Sequence, residues 1–279
     1  MSDTAPCWTT LVFEGWTFHC SAPLRRGAPT LLALHGFSGG GLDFRPLAEH
    51  PGAPRDLVWV APDLPGHGTT GLAPGPEAFS MAGMAATLDR FCAAHDLRPW
   101  VLGYSMGGRV ALSWAVETDS LLAGLLLVGA SPGLREPSAR AARRREDLAL
   151  AARLRRDGIE QFAEEWERTP LIRSQARIPQ GALEPLRARR RKQDPEGLAR
   201  ALEGYGTGTM PSFWERLGEI TVPVLLATGA EDAKFSALAA DMARAHPVIL
   251  TSQIPAAGHC AHLEKMDTFA AVLNLFTRV

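Results

Sequence analysis

Ser105 lies between two glycines in the sequence Gly-Tyr-Ser-Met-Gly at residues 103–107. The apolar residues before it (100–102) predict a strand, and the residues after it (109–116) predict a helix. A G-x-S-x-G segment at a strand-to-helix turn projects the serine hydroxyl above the end of the strand and points the N–H groups of the helix N-terminus towards it. In this context we interpret Ser105 as a catalytic serine.

A serine hydroxyl is a weak nucleophile and a weak base at neutral pH. It therefore needs a histidine to take its proton and a carboxylate to orient that histidine. Where the serine stands at such a turn, the acid and then the histidine follow it in the chain. Asp232 follows an apolar segment at residues 224–228, and His259 follows another at 248–254. Both lie in loops after predicted strands, so the sequence predicts a triad of Ser105, Asp232 and His259.

Each partner of the serine has a neighbour of similar chemistry. Glu231 is the alternative acid, and His262, which we expect on the last helix, is the alternative histidine. His35 and His67 stand in turns, where we expect them to support loop shape through hydrogen bonds rather than to act as bases.

The segment Leu34-His35-Gly36-Phe37 follows the first apolar run and is expected to complete the site. The N–H of Phe37 and the N–H of Met106 are placed to hold a developing oxyanion. One such donor contributes on the order of 3 kcal/mol to transition-state stabilisation. The glycines at 39–41 are not followed by Gly-Lys-Ser/Thr, which argues against a phosphate-binding loop.

The elements that must position these residues alternate along the chain. Its 279 residues allow one large α/β domain or a core with an insertion. Helices are predicted at 81–95, with Ser80 as the N-cap, and more weakly at 42–50. Apolar strands are predicted at 30–34, 57–61, 100–103, 125–129, 224–228 and 248–254. This alternation predicts a mostly parallel sheet with helices on both faces.

The alternation is interrupted at residues 133–211, where no strand is predicted. Helical patterns occur there at 139–156, 159–168 and 197–204, so we expect a helical cap inserted between core segments 1–132 and 212–279. The cap holds 17 of the 29 Lys and Arg residues but only 12 of the 30 Asp and Glu residues. Most of these arginines are expected to face solvent, although the runs at 143–145 and 189–191 exceed what solubility requires.

Composition excludes several classes of protein. A net charge of −1 gives no global signal for nucleic acid, and 46% hydrophobic residues suit a chain with a substantial core. The most apolar stretch, 121–130, is about half the roughly 20 residues of a membrane-spanning helix, so we expect a cytoplasmic protein. Cys7, Cys20, Cys92 and Cys260 form no CxxC pair, which favours reduced thiols over disulfides or a zinc site. Neither a metal nor an organic cofactor is expected.

Six motifs of the chain together resemble the α/β-hydrolase fold, from about Thr30 to the C-terminus. They are HGFSGG (35–40), APDLPGHG (61–68), GYSMGGRVAL (103–112), GTGTMPSFWERL (206–217), GAEDAKF (229–235) and AGHCAHLE (257–264). Details such as GYSMGGR, EEWERTPLIRSQ, DPEGLARAL and DxKF resemble the 2-succinyl-6-hydroxy-2,4-cyclohexadiene-1-carboxylate synthases of the menaquinone pathway.

The resemblance implies an elimination, in which a tricarboxylate cyclohexene loses its enolpyruvyl group as pyruvate. Ser105, activated by His259 and Asp232, would act as the base, and the oxyanion hole would hold the enolate of the succinyl ketone. The resemblance also implies substrate-binding residues: Arg109, Arg143, Arg190, Trp166 and Tyr104. Arg144, Arg189 and Arg191 are alternatives to the arginines beside them. This chain departs from the family's pattern at GGGLDF (39–44), Met210 and Cys260.

Two other functions use the same residues. A carboxylester or carbon–carbon bond hydrolase needs the same triad, but an apolar substrate would suit an apolar cap better than three arginines. A ligand-binding receptor on the same scaffold would not need an intact triad. We therefore predict an enzyme acting on a small polycarboxylate, as a monomer or weak homo-oligomer, without nucleic-acid or membrane partners.

Overall fold

The computed structural model describes residues 8–119 and 121–278, and these residues contain one sheet of eight strands. The strands are β1 (Thr9–Phe13), β2 (Trp16–Cys20), β3 (Thr30–Leu34), β4 (Val58–Pro62), β5 (Trp100–Tyr104), β6 (Gly124–Val128), β7 (Val224–Gly229) and β8 (Ile249–Ile254). Their order across the sheet is β1-β2-β4-β3-β5-β6-β7-β8. The pairs β1–β2 and β2–β4 are antiparallel, and every other pair is parallel. The predicted mostly parallel sheet is confirmed, and its six predicted strands lie within one residue of their predicted bounds.

The hairpin of β1 and β2 was not predicted. Its turn consists of Glu14 and Gly15, both with positive φ (48° and 80°), a geometry that favours tight antiparallel hairpins. All five residues of β2 are buried, although two of them are polar. His19 is satisfied by the carboxylate of Asp63, 3.2 Å from its Nε2. A strand with buried polar residues lacks the apolar run by which the other strands were recognised.

Nine α-helices occur in the described residues. They are α1 (Arg45–Ala48), α2 (Met81–His95), α3 (Met106–Glu117), α4 (Pro137–Arg168), α5 (Gln180–Arg190), α6 (Pro195–Tyr205), α7 (Ala233–Ala245), α8 (Ala261–Glu264) and α9 (Met266–Phe276). Apolar side chains of α2, α3 and α7 pack in one core, and those of α1 and α9 pack in another, so both faces of the sheet are covered. Each large apolar side chain buried in this way contributes about 1.5–3 kcal/mol.

The predicted start of α2 is confirmed. Ser80 is its N-cap, and the Ser80 Oγ accepts a hydrogen bond from the N–H of Gly83 at 3.0 Å. The helix ends at Asp96, which adopts a left-handed conformation with φ of 56°. The weaker helix predicted at 42–50 is a 3-10 turn (Gly41–Phe44) followed by α1.

The chain between β6 and β7 contains α4, α5 and α6, and its described residues contain no strand. The helix break predicted after residue 156 corresponds to a kink in α4, where Gly158 has φ of 79°. Helix α5 was not predicted, and it carries an internal proline, Pro185. Ala151, Phe162 and Leu198 belong to a separate apolar cluster within this insertion.

Both ends of the insertion meet at the core. The N–H of Phe213 donates to the carbonyl of Pro132 at 2.7 Å, and the indole Nε1–H of Trp214 donates to the carbonyl of Gly133 at 3.0 Å. The division of the chain into domains at 132/133 and 211/212 stays a prediction.

No helix within residues 8–119 and 121–278 combines the length and apolar character needed to cross a membrane. Cys20, Cys92 and Cys260 are buried free thiols, whereas Cys7 lies outside the described residues. The described chain also contains no cluster of three or more His, Cys, Asp or Glu residues that could hold a metal ion.

Candidate active site

Ser105 occupies a sharp turn between β5 and α3. Its φ of 51° and ψ of −105° are strained for a residue with a side chain, and strain of this kind costs about 1–3 kcal/mol. The turn is held by a 2.8 Å hydrogen bond from the Ser105 N–H to the carbonyl of Val128. A β-carbon at Gly107 would overlap the carbonyl oxygen of Leu34. The glycine therefore allows α3 to approach the sheet closely enough to present Ser105.

The structure brings Ser105, His259 and Asp232 together. The Nε2 of His259 lies 3.0 Å from the Ser105 Oγ, and its Nδ1 lies 2.7 Å from the Oδ2 of Asp232. An ionised carboxylate only accepts hydrogen bonds, so the proton is on Nδ1 and Nε2 is free to accept the serine proton. Asp232 also caps α7, because its Oδ1 accepts from the N–H of Phe235 at 3.3 Å.

Neither alternative partner reaches the serine in this way. Glu231 is exposed and forms an ion pair with Arg177. His262 lies on α8, not on the last helix as expected, and its ring packs against Tyr104 with centroids 4.6 Å apart. Burial, with a smaller effect of His259, lowers the pKa of His262 to about 3, so this ring is neutral at physiological pH.

The loop after β3, which carries Phe37, passes beside the serine turn, since a β-carbon at Gly36 would lie 3.7 Å from the Cβ of Ser105. Among the described residues this N–H has no hydrogen-bond acceptor, and the Met106 N–H, in the first turn of α3, has no intrahelical one. His35 supports the loop: its Nε2 accepts from the N–H of Leu64 at 3.0 Å, and its Nδ1 bonds the carbonyl of Gly36 at 2.8 Å. Burial lowers the pKa of His35, which keeps the ring in the neutral form that this pair of bonds requires.

His67 lies next to His35, with ring centroids 5.0 Å apart. Its Nδ1 is 3.2 Å from the carbonyl of Pro65 and 3.3 Å from the hydroxyl of Tyr205. Burial lowers the pKa of His67 to about 3. Both turn histidines are therefore neutral and hydrogen-bonded, as expected of residues that support loop shape.

A cavity of about 500 Å³ opens beside Ser105, between the sheet edge and the insertion. Tyr104 and Trp166, both predicted to be at the site, line it, as do Phe37 and Leu150. Its basic lining residues are Arg109, Arg143 and Lys234. The cavity thus combines apolar walls with three cationic groups and one acidic residue, Glu146.

Arg109 and Arg143 are close enough to affect each other. Burial, together with the positive charge of Arg143, lowers the pKa of Arg109 to about 10, so Arg109 remains charged at neutral pH. Arg109 donates to the carbonyl of Tyr205 at 3.0 Å. Arg143 donates through Nε to the Oδ1 of Asp147 at 2.8 Å. Two guanidinium groups that repel each other across a cavity favour an anion between them.

Arg190 is not among the residues that line this cavity, but it lines a smaller pocket that shares Phe37, Tyr104 and Gln175 with the cavity. Its contact with a substrate stays a prediction. Arg190 is 4% exposed. Its guanidinium is 2.8 Å from the Oε1 of Gln175, 3.2 Å from the Oε1 of Glu167 and 3.3 Å from the Ser38 Oγ. Glu167 balances its charge, and Gln175 links it to the wall of the cavity.

The arginines beside the predicted ones do not supply the third cation. Arg189 pairs with Asp43 at 2.6 Å, and Arg191 pairs with Glu160 at 3.3 Å. Arg144 is exposed. The third cation is Lys234, which the sequence indicated only as part of the motif around Asp232. Its signal was its position, two residues after the acid at the start of a helix.

A model of the α/β-hydrolase family matches residues 31–272. A 2-succinyl-6-hydroxy-2,4-cyclohexadiene-1-carboxylate synthase of Salmonella schwarzengrund is 35% identical over 259 residues, which cover 91% of this chain and 97% of that protein. The structure of MenH from S. aureus has a TM-score of 0.86 and 33% identity, and it covers 94% of this chain and 97% of its own.

A malate-bound esterase from Thermogutta terrifontis has a TM-score of 0.74 and 26% identity over 94% of this chain and 93% of its own. The esterase is the less similar of the two solved structures in both sequence and TM-score. The chain therefore belongs to the α/β-hydrolase family, and within it to the family of 2-succinyl-6-hydroxy-2,4-cyclohexadiene-1-carboxylate synthases.

Proposed function

We propose that this chain is a lyase of menaquinone biosynthesis. It eliminates pyruvate from 2-succinyl-5-enolpyruvyl-6-hydroxy-3-cyclohexene-1-carboxylate and gives 2-succinyl-6-hydroxy-2,4-cyclohexadiene-1-carboxylate. One observation carries the proposal: a hydrogen-bonded Ser105–His259–Asp232 triad opens into a cavity with three cationic side chains. The family of its relatives supports the same conclusion.

The triad supplies the base. His259 takes the proton of Ser105, and the Ser105 oxygen removes the proton from C2, next to the succinyl ketone. The electrons of that C–H bond form the C2=C3 bond, the C3=C4 double bond moves to C4=C5, and the C5–O bond breaks. The departing enolpyruvate takes up the proton held by His259 and becomes pyruvate, which returns His259 to its neutral form. Asp232 stabilises the imidazolium that His259 becomes.

The N–H groups of Phe37 and Met106 are the proposed oxyanion hole. Removing a proton beside a ketone places negative charge on the ketone oxygen, and donors already aimed at that position stabilise the charge without reorganising. Neither N–H has to break a bond to another described residue first. Arg190 helps to hold this loop, because its Nε donates to the Oγ of Ser38, the residue after Phe37, at 3.3 Å.

The three cations match the three carboxylates of the substrate. Arg109 and Arg143 each present a guanidinium, which can bind a carboxylate through two parallel hydrogen bonds. Lys234 offers a third charge at the same cavity. Trp166 and Tyr104 contribute wall area for the ring. Burial raises the pKa of Tyr104 well above its usual value, so its phenol keeps its proton.

The remaining functional expectations are proposals of the same kind. The ligand is a small polycarboxylate, with neither nucleic acid nor a membrane as partner. The protein acts in the cytoplasm as a monomer or weak homo-oligomer, without a metal or an organic cofactor.

Pyruvate release tests the function. Purified protein is mixed with the enolpyruvyl cyclohexene tricarboxylate, and pyruvate is measured through lactate dehydrogenase and NADH, with Ser105→Ala as the control. We expect stoichiometric pyruvate from the wild type and several orders of magnitude less from the variant. Rapid hydrolysis of p-nitrophenyl esters without pyruvate release would instead identify a carboxylester hydrolase. A wild type that binds the substrate and converts neither compound would indicate a receptor.

A further inference from the structure

The loop that carries His259 is held by the carboxylate of Glu264, a residue outside the triad. Glu264 lies on α8 and is 5% exposed. Its Oε2 accepts from the N–H of Gly258 at 2.7 Å, and its Oε1 accepts from the N–H of Cys260 at 3.1 Å. One side chain therefore fixes the backbone on both sides of the triad histidine.

The same carboxylate also binds the insertion. The Oγ of Ser174 donates to the Glu264 Oε1 at 2.8 Å. Ser174 belongs to a 3-10 turn (Arg173–Arg177) between α4 and α5, and it lies directly over Gly258, where a β-carbon would overlap its side chain. The absence of a side chain at Gly258 thus lets the insertion touch the histidine loop.

The same 3-10 turn reaches the loop of the triad acid. Arg177 forms an ion pair with Glu231, the neighbour of Asp232, and it donates to the carbonyl of Ala256 at 3.4 Å. One turn of the insertion is therefore bonded to both loops that orient the serine's partners.

We propose that Glu264 is a positioning residue for His259, and that Ser174 makes this positioning depend on the seating of the insertion. Glu264 does not line the cavity, so it acts on the histidine and not on the substrate. Without its carboxylate, the N–H groups of Gly258 and Cys260 lose their acceptor, and the loop is free to move Nε2 away from the Ser105 Oγ. A displacement of about 1 Å in a reacting group can reduce the rate about 100-fold.

Two variants test this proposal. Glu264→Gln keeps the size of the side chain but turns an NH₂ group towards one of the N–H donors that the carboxylate bonded. Ser174→Ala removes the hydrogen bond from the insertion to Glu264 and keeps the contacts of Arg177. Ser80→Ala is the matched control, because it removes a serine hydroxyl that accepts one backbone N–H at the start of α2 and does not line the cavity.

Two readouts are needed, and only the first rests on the proposed function. The first is kcat and KM for pyruvate release. The second is the rate at which a fluorophosphonate labels Ser105, which requires proton transfer to His259 but no physiological substrate. The melting temperature of each variant is measured together with these two readouts.

For Glu264→Gln we expect kcat to fall about 10- to 100-fold with KM changed less than about twofold, and labelling to slow in parallel. Ser174→Ala should show the same pattern at about three- to tenfold, and Ser80→Ala should retain wild-type values. Wild-type labelling and kcat in Glu264→Gln, or in Ser174→Ala if Glu264→Gln does not fold, would overturn the proposal. A rise in KM alone would also overturn it. Absence of pyruvate release by the wild type would refute the proposed function, while labelling would still decide the role of Glu264.

Discussion

Arg109→Met separates an effect on substrate binding from an effect on folding more cleanly than a substitution of Arg143 would. Arg143 bonds Asp147, a buried carboxylate, so its replacement would leave an uncompensated charge. The Arg109 hydrogen bond to the carbonyl of Tyr205 is to a neutral acceptor. Methionine has a similar length and helix propensity, so α3 should be preserved.

The size of the effect follows from the hydrogen bond that methionine cannot donate to a carboxylate of the substrate. A hydrogen bond between a charged donor and a carboxylate contributes about 1.5–3 kcal/mol, which corresponds to roughly 10- to 150-fold in kcat/KM. The stability of the folded protein should not fall together with the activity. Burial and Arg143 lower the pKa of Arg109 in the folded protein to about 10, below its unfolded value, so folding disfavours the charged form at neutral pH. Its removal should therefore leave the melting temperature unchanged or raise it.

The assay compares kcat/KM for pyruvate release with the melting temperature measured by calorimetry. Arg140→Met is the matched control: Arg140 also lies on a helix, its hydrogen bonds to described residues go to the carbonyls of Leu134 and Arg135, and it does not line the cavity. We expect wild-type kinetics from this control. A kcat/KM for Arg109→Met within about twofold of wild type would refute the carboxylate role, and a parallel loss of melting temperature would show that Arg109 is structural.

Three further predictions concern the triad, the oxyanion loop and acid stability. Asp232→Asn should lower kcat about 10⁴-fold, because an amide in this place holds His259 in the wrong tautomer. A melting temperature near that of the wild type would show that the Oδ1 cap of α7 survives. In Gly36→Ala a β-carbon would lie 2.7 Å from the Tyr104 ring, which should displace the Phe37 N–H and lower kcat about 10²- to 10³-fold; normal turnover would exclude that donor. His262 has a folded pKa of about 3, below its unfolded value, so the unfolded state binds its proton first and stability falls as pH drops from about 6.5 towards 3. Between pH 7 and pH 5 the wild type should lose about 2 kcal/mol more of its free energy of unfolding, measured in urea, than His262→Phe loses. An equal loss in the two proteins would contradict this.

The triad could be predicted because parallel strands place their carboxyl ends at one edge of the sheet. Once Ser105 was assigned to the end of a strand, Asp232 and His259 followed from the loops after two later strands. The short distances between them, 2.7 and 3.0 Å, agree with that reasoning. The β1–β2 hairpin was missed because its buried His19 is satisfied by Asp63, a partner distant in the chain.

The third arginine could not be assigned because successive residues of a helix point about 100° apart. In α5, Arg189 bonds Asp43 and Arg190 bonds Gln175, while Arg191, which follows the helix, bonds Glu160. Which of the three faces the site depends on how α5 is rotated against the core, and that rotation is set by packing rather than by local sequence. Glu264 was overlooked for a related reason, since the role of its carboxylate depends on the backbone path of a loop.

The insertion leaves the core and returns to it at one point, where Phe213 bonds the carbonyl of Pro132 at 2.7 Å. A segment whose two ends are already joined can be exchanged for another of different length without altering the strand order on either side. The ligand contacts that the insertion supplies, such as those of Arg143 and Trp166, can therefore change while the core keeps the triad, Arg109 and Lys234. The proposed role of Glu264 sets the limit on this freedom, since under it a replacement insertion has to reproduce the contacts of Ser174 and Arg177 with the triad loops to sustain the same rate.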